Sequence, residues 1–152
     1  MDTNKSISQV EINKAVIARY FEAYNNKNEA IFDEIISPDY IDHGQSAYMG
    51  APGLGVVGAK NDLKNSLDKL DELSYVIEEL IASPNYPELV GAYWKGTLTP
   101  KATSAYAQQT MKKINYRGIS IYRIQNGKMV ETWHVVDDES IGGVLKLVRL
   151  VK

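Results

Sequence analysis

The sequence predicts an α+β fold in which three helices precede about four β-strands. Apolar residues recur at helical spacing from Ile12 to Leu70, whereas the chain after Leu73 has β-branched and aromatic runs separated by turn residues. Helices grouped first and strands grouped later indicate an antiparallel sheet packed on helices. A strongly curved sheet of this kind leaves a cavity between the two layers, where a small ligand would bind.

The predicted helices have recognisable boundaries or apolar faces. The first is expected to begin near Ser8, because Ser8 and Glu11 form the S-x-x-E capping box, in which each side chain satisfies the other residue's free backbone donor. The second ends before Pro38, since the residue preceding a proline disfavours helical geometry. A brief extended segment, "DYIDHG", follows it. The third helix has its apolar face on Ala59, Leu63, Leu67 and Leu70.

The second half of the chain contains the predicted strands. They are "SYVIEELIA", "ELVGAYWKGTLT", "MKKINYRGISIYRI" and "KMVETWHVV". Asn126-Gly127 separates the last two and is a strong hairpin signal, because both residues of a type I′ turn need positive φ. The tail, residues 139–152, is apolar and fits either a helix or a strand.

Length and composition exclude several classes of protein. The 152 residues predict one domain over residues 1–152, and a formal net charge of -2 gives no reason to expect a nucleic-acid partner. We expect no membrane span, because apolar runs stay far below the roughly 18 residues that one needs. The polar start lacks the apolar region of a signal peptide, so a cytoplasmic location is expected. The absence of Cys excludes disulfides and thiol nucleophiles.

The stretch "GLGVVG", Gly53 to Gly58, fits the dinucleotide-binding fingerprint G-x-G-x-x-G. That fingerprint requires a strand immediately before the first glycine, but the preceding residues are mixed and include Pro52. We therefore expect a loop that leads into the third helix. It could also form a wall of the cavity, with free N–H groups at the helix N-terminus.

Few residues could carry chemistry. His43 and His134 are the only histidines, and neither has metal-ligand spacing, so no metal site is expected. Asp137 ends a strand and shares its parity with Trp133. If that face lines the cavity, desolvation disfavours the ionised carboxylate, which could then exchange protons near neutral pH. Asp137 could equally cap a following helix. His134 has the opposite parity and is expected to face away from the cavity.

Tyrosine is unusually frequent, with 10 Tyr against 2 Phe. Because tyrosine combines an apolar ring with a polar tip, the excess favours a polar-aromatic cavity. Each residue alone could also be a plain core residue. The candidates for ligand contact are Tyr20, Tyr24, Tyr40, Tyr48, Trp94 and Trp133.

The order of "AVIARYFEAYNNKN", "SPDYIDHG", "YWKGTLT" and "GISIYRIQNGKMVETWHVVD" resembles the SnoaL-like polyketide cyclases, also called ester cyclases, of the nuclear-transport-factor-2-like (NTF2-like) superfamily. The resemblance covers roughly residues 10–138, and its most specific part is the last strand pair followed by Asp137. It implies an NTF2-like cone, three N-terminal helices packed on a strongly curved antiparallel sheet. A homodimer formed through the outer face of the sheet is also implied.

The same resemblance implies a chemistry. These cyclases close a ring by intramolecular aldol condensation without a metal or cofactor, and the catalytic acid/base falls on Asp137 with His43 assisting. The expected ligand is a small apolar or polyketide-like molecule. Leu98 stands where many relatives have histidine, so a non-catalytic binding protein for a small apolar or aromatic ligand is the alternative. A dimerising domain without a ligand is the third hypothesis.

Overall fold

The computed structural model describes residues 3–43, 55–103 and 113–137. The helices are α1 (Thr3–Asn25), α2 (Ala30–Ile35) and α3 (Gly55–Lys69). The strands are β1 (Ile36–Asp42), β2 (Leu70–Ser83), β3 (Tyr86–Pro100), β4 (Ile114–Gln125) and β5 (Lys128–Val136). Within these ranges, no helix combines the length and the apolar character that a bilayer crossing needs.

The predicted α+β class is confirmed, with the helices packed on one face of a curved, unclosed sheet. The strand order is β1-β5-β4-β3-β2, and all neighbours are antiparallel except β1 and β5. Among the described residues the sheet therefore has five strands and is mixed and not purely antiparallel as expected, because the predicted extended segment forms β1 and pairs in parallel with β5. That pairing joins Ile36 to Met129. Local sequence patterns do not reveal contacts between residues so far apart in the chain.

Two predicted helix boundaries were wrong. Helix α1 begins at Thr3, so Ser8 lies inside it and forms no capping box at its start. Leu70, assigned from its spacing to the third helix, is the first residue of β2. In both places the local sequence fitted a helix boundary, but the boundary in the folded chain lies at a different residue.

The glycine motif is not part of a dinucleotide-binding unit. The strands on either side of α3, β1 and β2, lie at opposite edges of the sheet, whereas a β-α-β unit pairs its strands in parallel. Gly55 and Gly58 lie in the first turns of α3, and Gly53 is outside the described residues. Gly55 has φ of 66°, and a Cβ there would collide with the carbonyl oxygen of Pro38. This glycine therefore permits a close approach between α3 and β1.

The β4–β5 hairpin is confirmed at Asn126-Gly127, whose φ angles are 52° and 75°. Beyond the turn, Ile124 pairs with Met129, but Arg123 pairs with Glu131. Strand β5 thus contains one extra residue, Val130, which forms a β-bulge. Because side chains alternate along a strand, the bulge exchanges the faces of all following residues of β5.

We call the face of the sheet that packs against the helices the inner face, and the opposite face the outer face. On β4, every second residue from Ile114 to Ile124 is buried, which marks the inner face. The cross-strand partners of Ser120 and Tyr122 are His134 and Thr132. Partners lie on the same face, so His134 and Thr132 belong to the inner face. The hydrophobic core lies between this face and the three helices.

Candidate active site

The core between helices and sheet is rich in buried phenols. Six phenols come from four elements; Tyr24, Tyr40, Tyr116 and Tyr122 are buried, and Tyr20 and Tyr75 are partly buried. The Tyr40 hydroxyl donates to Thr132 Oγ1 at 2.9 Å, and the Tyr116 hydroxyl donates to Tyr75 at 2.9 Å. Burial raises the pKa of Tyr116 to about 12 and raises the pKa of the other five as well. These phenols therefore stay neutral at physiological pH and can act as hydrogen-bond donors.

Two glycines fix the aromatic side chains of the inner face. Trp94 and Gly118 are cross-strand partners, and a Cβ on Gly118 would collide with the indole ring. Tyr116 and Gly96 are also cross-strand partners, and a Cβ on Gly96 would lie 2.6 Å from the Cζ atom of Tyr116. The indole Nε1 of Trp94 donates to Ser120 Oγ at 2.9 Å. Both rings therefore lie across a glycine of the neighbouring strand.

Asp62 brings a carboxylate to the phenol cluster from the helical side. It lies on α3 and accepts a hydrogen bond from the Tyr24 hydroxyl at 2.9 Å. Burial is the main cause of the raised pKa of Tyr24, and the negative charge of Asp62 adds to it. The same charge contributes to the raised pKa of Tyr75 and Tyr116, so these phenols lie within its electrostatic reach.

Asp42 brings a second carboxylate from β1. It is 4% exposed and pairs in register with Thr132 of β5. Its Oδ1 lies 3.8 Å from Nδ1 of His134, whose side chain is 22% exposed. The inner face therefore holds a carboxylate and an imidazole side by side.

The outer face carries a different cluster, formed by His43, Trp133, Glu131 and Arg123. The His43 ring stacks on the Trp133 ring with centroids 4.8 Å apart and an interplanar angle of 8°. Arg123 Cζ lies 5.7 Å from the Trp133 ring centroid, and its Nε donates to Glu131 Oε2 at 2.7 Å. Glu131 Oε1 is 3.4 Å from His43 Nε2. A shallow groove with exposed Ile119, Ile121 and Val135 adjoins the cluster.

These contacts correct the predicted orientation of two side chains relative to the sheet. Trp133 lies on the outer face and His134 on the inner face, the reverse of the expectation from strand parity. The reason is the extra residue Val130, which exchanges the faces of β5. Parity counted without the bulge would have placed Trp133 beside the helices.

The two predicted catalytic residues do not share one cavity in the described chain. His43 is stacked on the outer face. Asp137 is exposed just after β5, and its backbone N–H donates to the Arg117 carbonyl at 2.9 Å. Among the residues that the structure describes, Asp137 therefore lacks the apolar surroundings expected for it, whereas its catalytic role stays a prediction.

Four of the predicted ligand contacts, Tyr20, Tyr24, Tyr40 and Trp94, lie among the core residues. Tyr48 and the tail from residue 139 fall outside the described residues. Sequence reasoning overlooked Asp42, Asp62 and the inward position of His134. The adjacency of Asp42 and His43 was a usable signal, because neighbours on a strand face opposite sides.

Known proteins with the same fold are numerous among solved structures. TsrD from Streptomyces laurentii superposes with a TM-score of 0.73 at 15% identity, covering 89% of this chain and 95% of its own. A SnoaL-like polyketide cyclase from Agrobacterium tumefaciens gives 0.67 at 15% identity, covering 88% and 97%. An NTF2-like protein of unknown function from Burkholderia pseudomallei gives 0.69 at 16%, covering 90% and 97%. At these identities the likeness establishes the fold alone.

No curated protein matches the chain. The sequence profile of the family described as SnoaL-like polyketide cyclase matches residues 14–142, from the middle of α1 to beyond the end of β5. This match covers most of the chain, and it agrees with the observed helices packed on a curved sheet. The chain belongs to the SnoaL-like polyketide cyclase family.

Proposed function

We propose that the protein is a cofactor-free acid/base catalyst that holds a small apolar carbonyl compound between the helices and the inner face. The reaction would be an intramolecular aldol cyclisation or a related isomerisation. The observation that supports it most directly is the cluster of six tyrosine hydroxyls in the core. The carboxylate of Asp62 lies on its helical side, and the carboxylate of Asp42 lies on β1. Asp62 accepts from Tyr24 at 2.9 Å, and the charge of Asp42 contributes to the raised pKa of Tyr20 and Tyr40.

The chemistry of such a reaction fits these groups. A base removes the acidic proton next to a carbonyl, and the electron pair moves onto the carbonyl oxygen as an enolate. A neutral phenol can donate a hydrogen bond to that developing charge, and such donors are most effective in a site that excludes water. The enolate carbon then attacks a second carbonyl of the same molecule. The protonated base returns its proton to the new alkoxide.

The resemblance assigns the acid/base to Asp137 with assistance from His43. This assignment is tested by Asp137→Asn, which under it abolishes turnover while changing the melting temperature little, because the side chain is exposed. Asp39→Asn, another exposed aspartate, is the matched control and should retain full turnover. An unchanged rate in Asp137→Asn would remove this residue from the mechanism.

A ligand is needed before turnover can be measured. A thermal-shift screen against linear β-polyketone esters and aromatic polyketides should reveal compounds that stabilise the folded chain. Each stabilising compound is then incubated with the protein and analysed by mass spectrometry and NMR. A cyclised or isomerised product supports the enzyme. If every stabilising compound is recovered unaltered, the binding-protein alternative replaces it.

A homodimer through the outer face is part of the proposal. Ile119, Ile121 and Val135 are 59%, 46% and 76% exposed there, and they lie together on neighbouring strands. Contiguous exposed apolar side chains on a sheet are typical of a protein–protein contact. A second copy is the expected occupant because the resemblance implies this arrangement. Sedimentation analysis of the wild-type chain gives the oligomeric state.

A further inference from the structure

We propose that His134 and Asp42 form an acid/base pair on the inner face, in which His134 exchanges protons with the ligand through Nε2 and Asp42 positions the ring. The proposal rests on the proposed function but assigns its proton transfer to this pair instead of Asp137, so the turnover of Asp137→Asn and of His134→Gln distinguishes the two assignments. Here His134 would be the catalytic residue and Asp42 the positioning residue. Neither residue was a candidate in the sequence.

The first support is the placement of the two residues. Asp42 pairs with Thr132 across the parallel β1–β5 ladder, and His134 follows two positions later on the same strand and the same face. Nδ1 of His134 lies 3.8 Å from Oδ1 of Asp42. This separation is longer than a hydrogen bond but within the range of an ion pair. Catalytic hydrogen bonds are often long without a ligand and shorten in the complex.

The second support is the burial of Asp42. Its side chain is only 5% exposed, and a carboxylate is costly to bury unless neighbouring groups compensate its charge. Three phenols lie within its electrostatic reach, since its charge contributes to the raised pKa of Tyr20, Tyr40 and Tyr122, although burial is the larger cause for each. An imidazole that can become positively charged next to this carboxylate gives it a suitable partner.

The third support is the geometry that remains at His134. Because Nδ1 faces Asp42, Nε2 is the nitrogen directed away from the carboxylate. The side chain is 22% exposed, whereas Asp42 is almost fully covered, so the imidazole is the more accessible of the two groups. This is the arrangement in which a carboxylate holds a histidine in one tautomer, leaving the other nitrogen as the base.

The proton that His134 removes from the ligand is the one that it returns, so the transfers need only the two residues and the ligand. The lone pair of Nε2 takes the proton next to a ligand carbonyl, and the electrons of the broken C–H bond form the enolate. The resulting imidazolium is stabilised by the Asp42 carboxylate. After the carbon–carbon bond forms, Nε2–H returns the same proton to the alkoxide, so no oxidant, reductant or further reactant is required.

The test needs no ligand. Long-range ¹H–¹⁵N NMR spectra of uniformly ¹⁵N-labelled protein, recorded at alkaline pH where the imidazole is neutral, distinguish the two tautomers of His134. We expect the Nδ1–H tautomer in the wild type and in Asp39→Asn, the matched control. We expect Asp42→Asn to shift His134 towards the Nε2–H tautomer.

The result is decisive even if Asp42→Asn does not fold, because an Nε2–H tautomer in the wild type alone overturns the pair. The same tautomer in wild type and folded Asp42→Asn also overturns it. With a ligand that the wild type converts, His134→Gln should lower kcat at least tenfold, and an unchanged kcat would contradict the catalytic role. If the wild type converts none of its ligands, the proposed function fails. The tautomer measurement still tests whether Asp42 positions the ring of His134.

Discussion

Gly118→Ala is the substitution whose effect follows most directly from the inner face. An added Cβ would collide with the ring of Trp94, with Cε2 and Cη2 both 2.9 Å away. The indole is 6% exposed and is held by its hydrogen bond to Ser120. Because neighbouring aromatic side chains pack against it, the ring cannot move aside without disturbing the core.

The magnitude is the sum of two effects. Overpacking of a close-packed core costs about 1–3 kcal/mol, and leaving the indole N–H without its acceptor costs about 1–3 kcal/mol. Replacing glycine by alanine returns up to about 1 kcal/mol by restricting the unfolded chain. The net loss is therefore about 1–6 kcal/mol, with a central value of about 3.5 kcal/mol. For a chain of this length, about 2–4 °C of melting temperature accompanies each kcal/mol, which gives a decrease of roughly 10 °C.

Differential scanning calorimetry of Gly118→Ala and Gly91→Ala measures this difference. Gly91 is the matched control, because a Cβ there would lie 3.6 Å from its nearest neighbour, an ordinary contact distance. We expect Gly91→Ala to stay within about 1 kcal/mol of the parent. The NMR signal of the Trp94 indole N–H should shift in Gly118→Ala alone. If both variants melt at the same temperature, the close contact of Trp94 with Gly118 does not constrain the core.

Three further predictions concern single side chains. Tyr24→Phe removes a hydrogen bond to the carboxylate of Asp62 and should cost about 1–2 kcal/mol in calorimetry, whereas an unchanged melting temperature would contradict that bond. The hydrogen bond from Arg123 holds the pKa of Glu131 below its usual value of 4.5, so its stabilisation is present above that pH and lost as pH falls through the lowered value. Glu131→Gln should therefore flatten the acid side of the curve of melting temperature against pH, and an identical curve would refute this reasoning. Ile121→Lys should convert the proposed dimer to a folded monomer in sedimentation, and a persistent dimer would exclude this part of the outer face.

Local patterns predicted the elements well and their faces poorly. The hairpin at Asn126-Gly127 was readable, because type I′ turns demand residues that tolerate positive φ. The bulge at Val130 was not, since valine is an ordinary strand residue and no glycine or proline marks the site. The pairing of β1 with β5 was hidden as well, because it depends on contacts between residues about 90 positions apart.

The bulge at Val130 and the pairing of β1 with β5 determine which side chains form the candidate site. Asp42 is inside and His43 outside because they are neighbours on β1, and either residue could have faced the helices. The partner strand makes the same choice through the bulge, which places His134 inside and Trp133 outside. Sequence alone therefore identified the two histidines but assigned His134 to the wrong face.

Deleting Val130 and deleting Thr132 together test what fixes the faces of β5. Val130 is the extra residue, so its deletion leaves Met129 opposite Ile124 and Glu131 opposite Arg123. The strand then alternates regularly, His134 stays on the inner face, and Trp133 keeps its stack on His43. Deleting Thr132 instead leaves the bulge in place and brings Trp133 opposite Tyr122 on the inner face, where the stack with His43 is lost. Calorimetry should therefore show a much larger fall in melting temperature for the Thr132 deletion than for the Val130 deletion. Equal melting temperatures for the two deletions would mean that the faces of β5 are fixed by something other than the register of its pairing with β4.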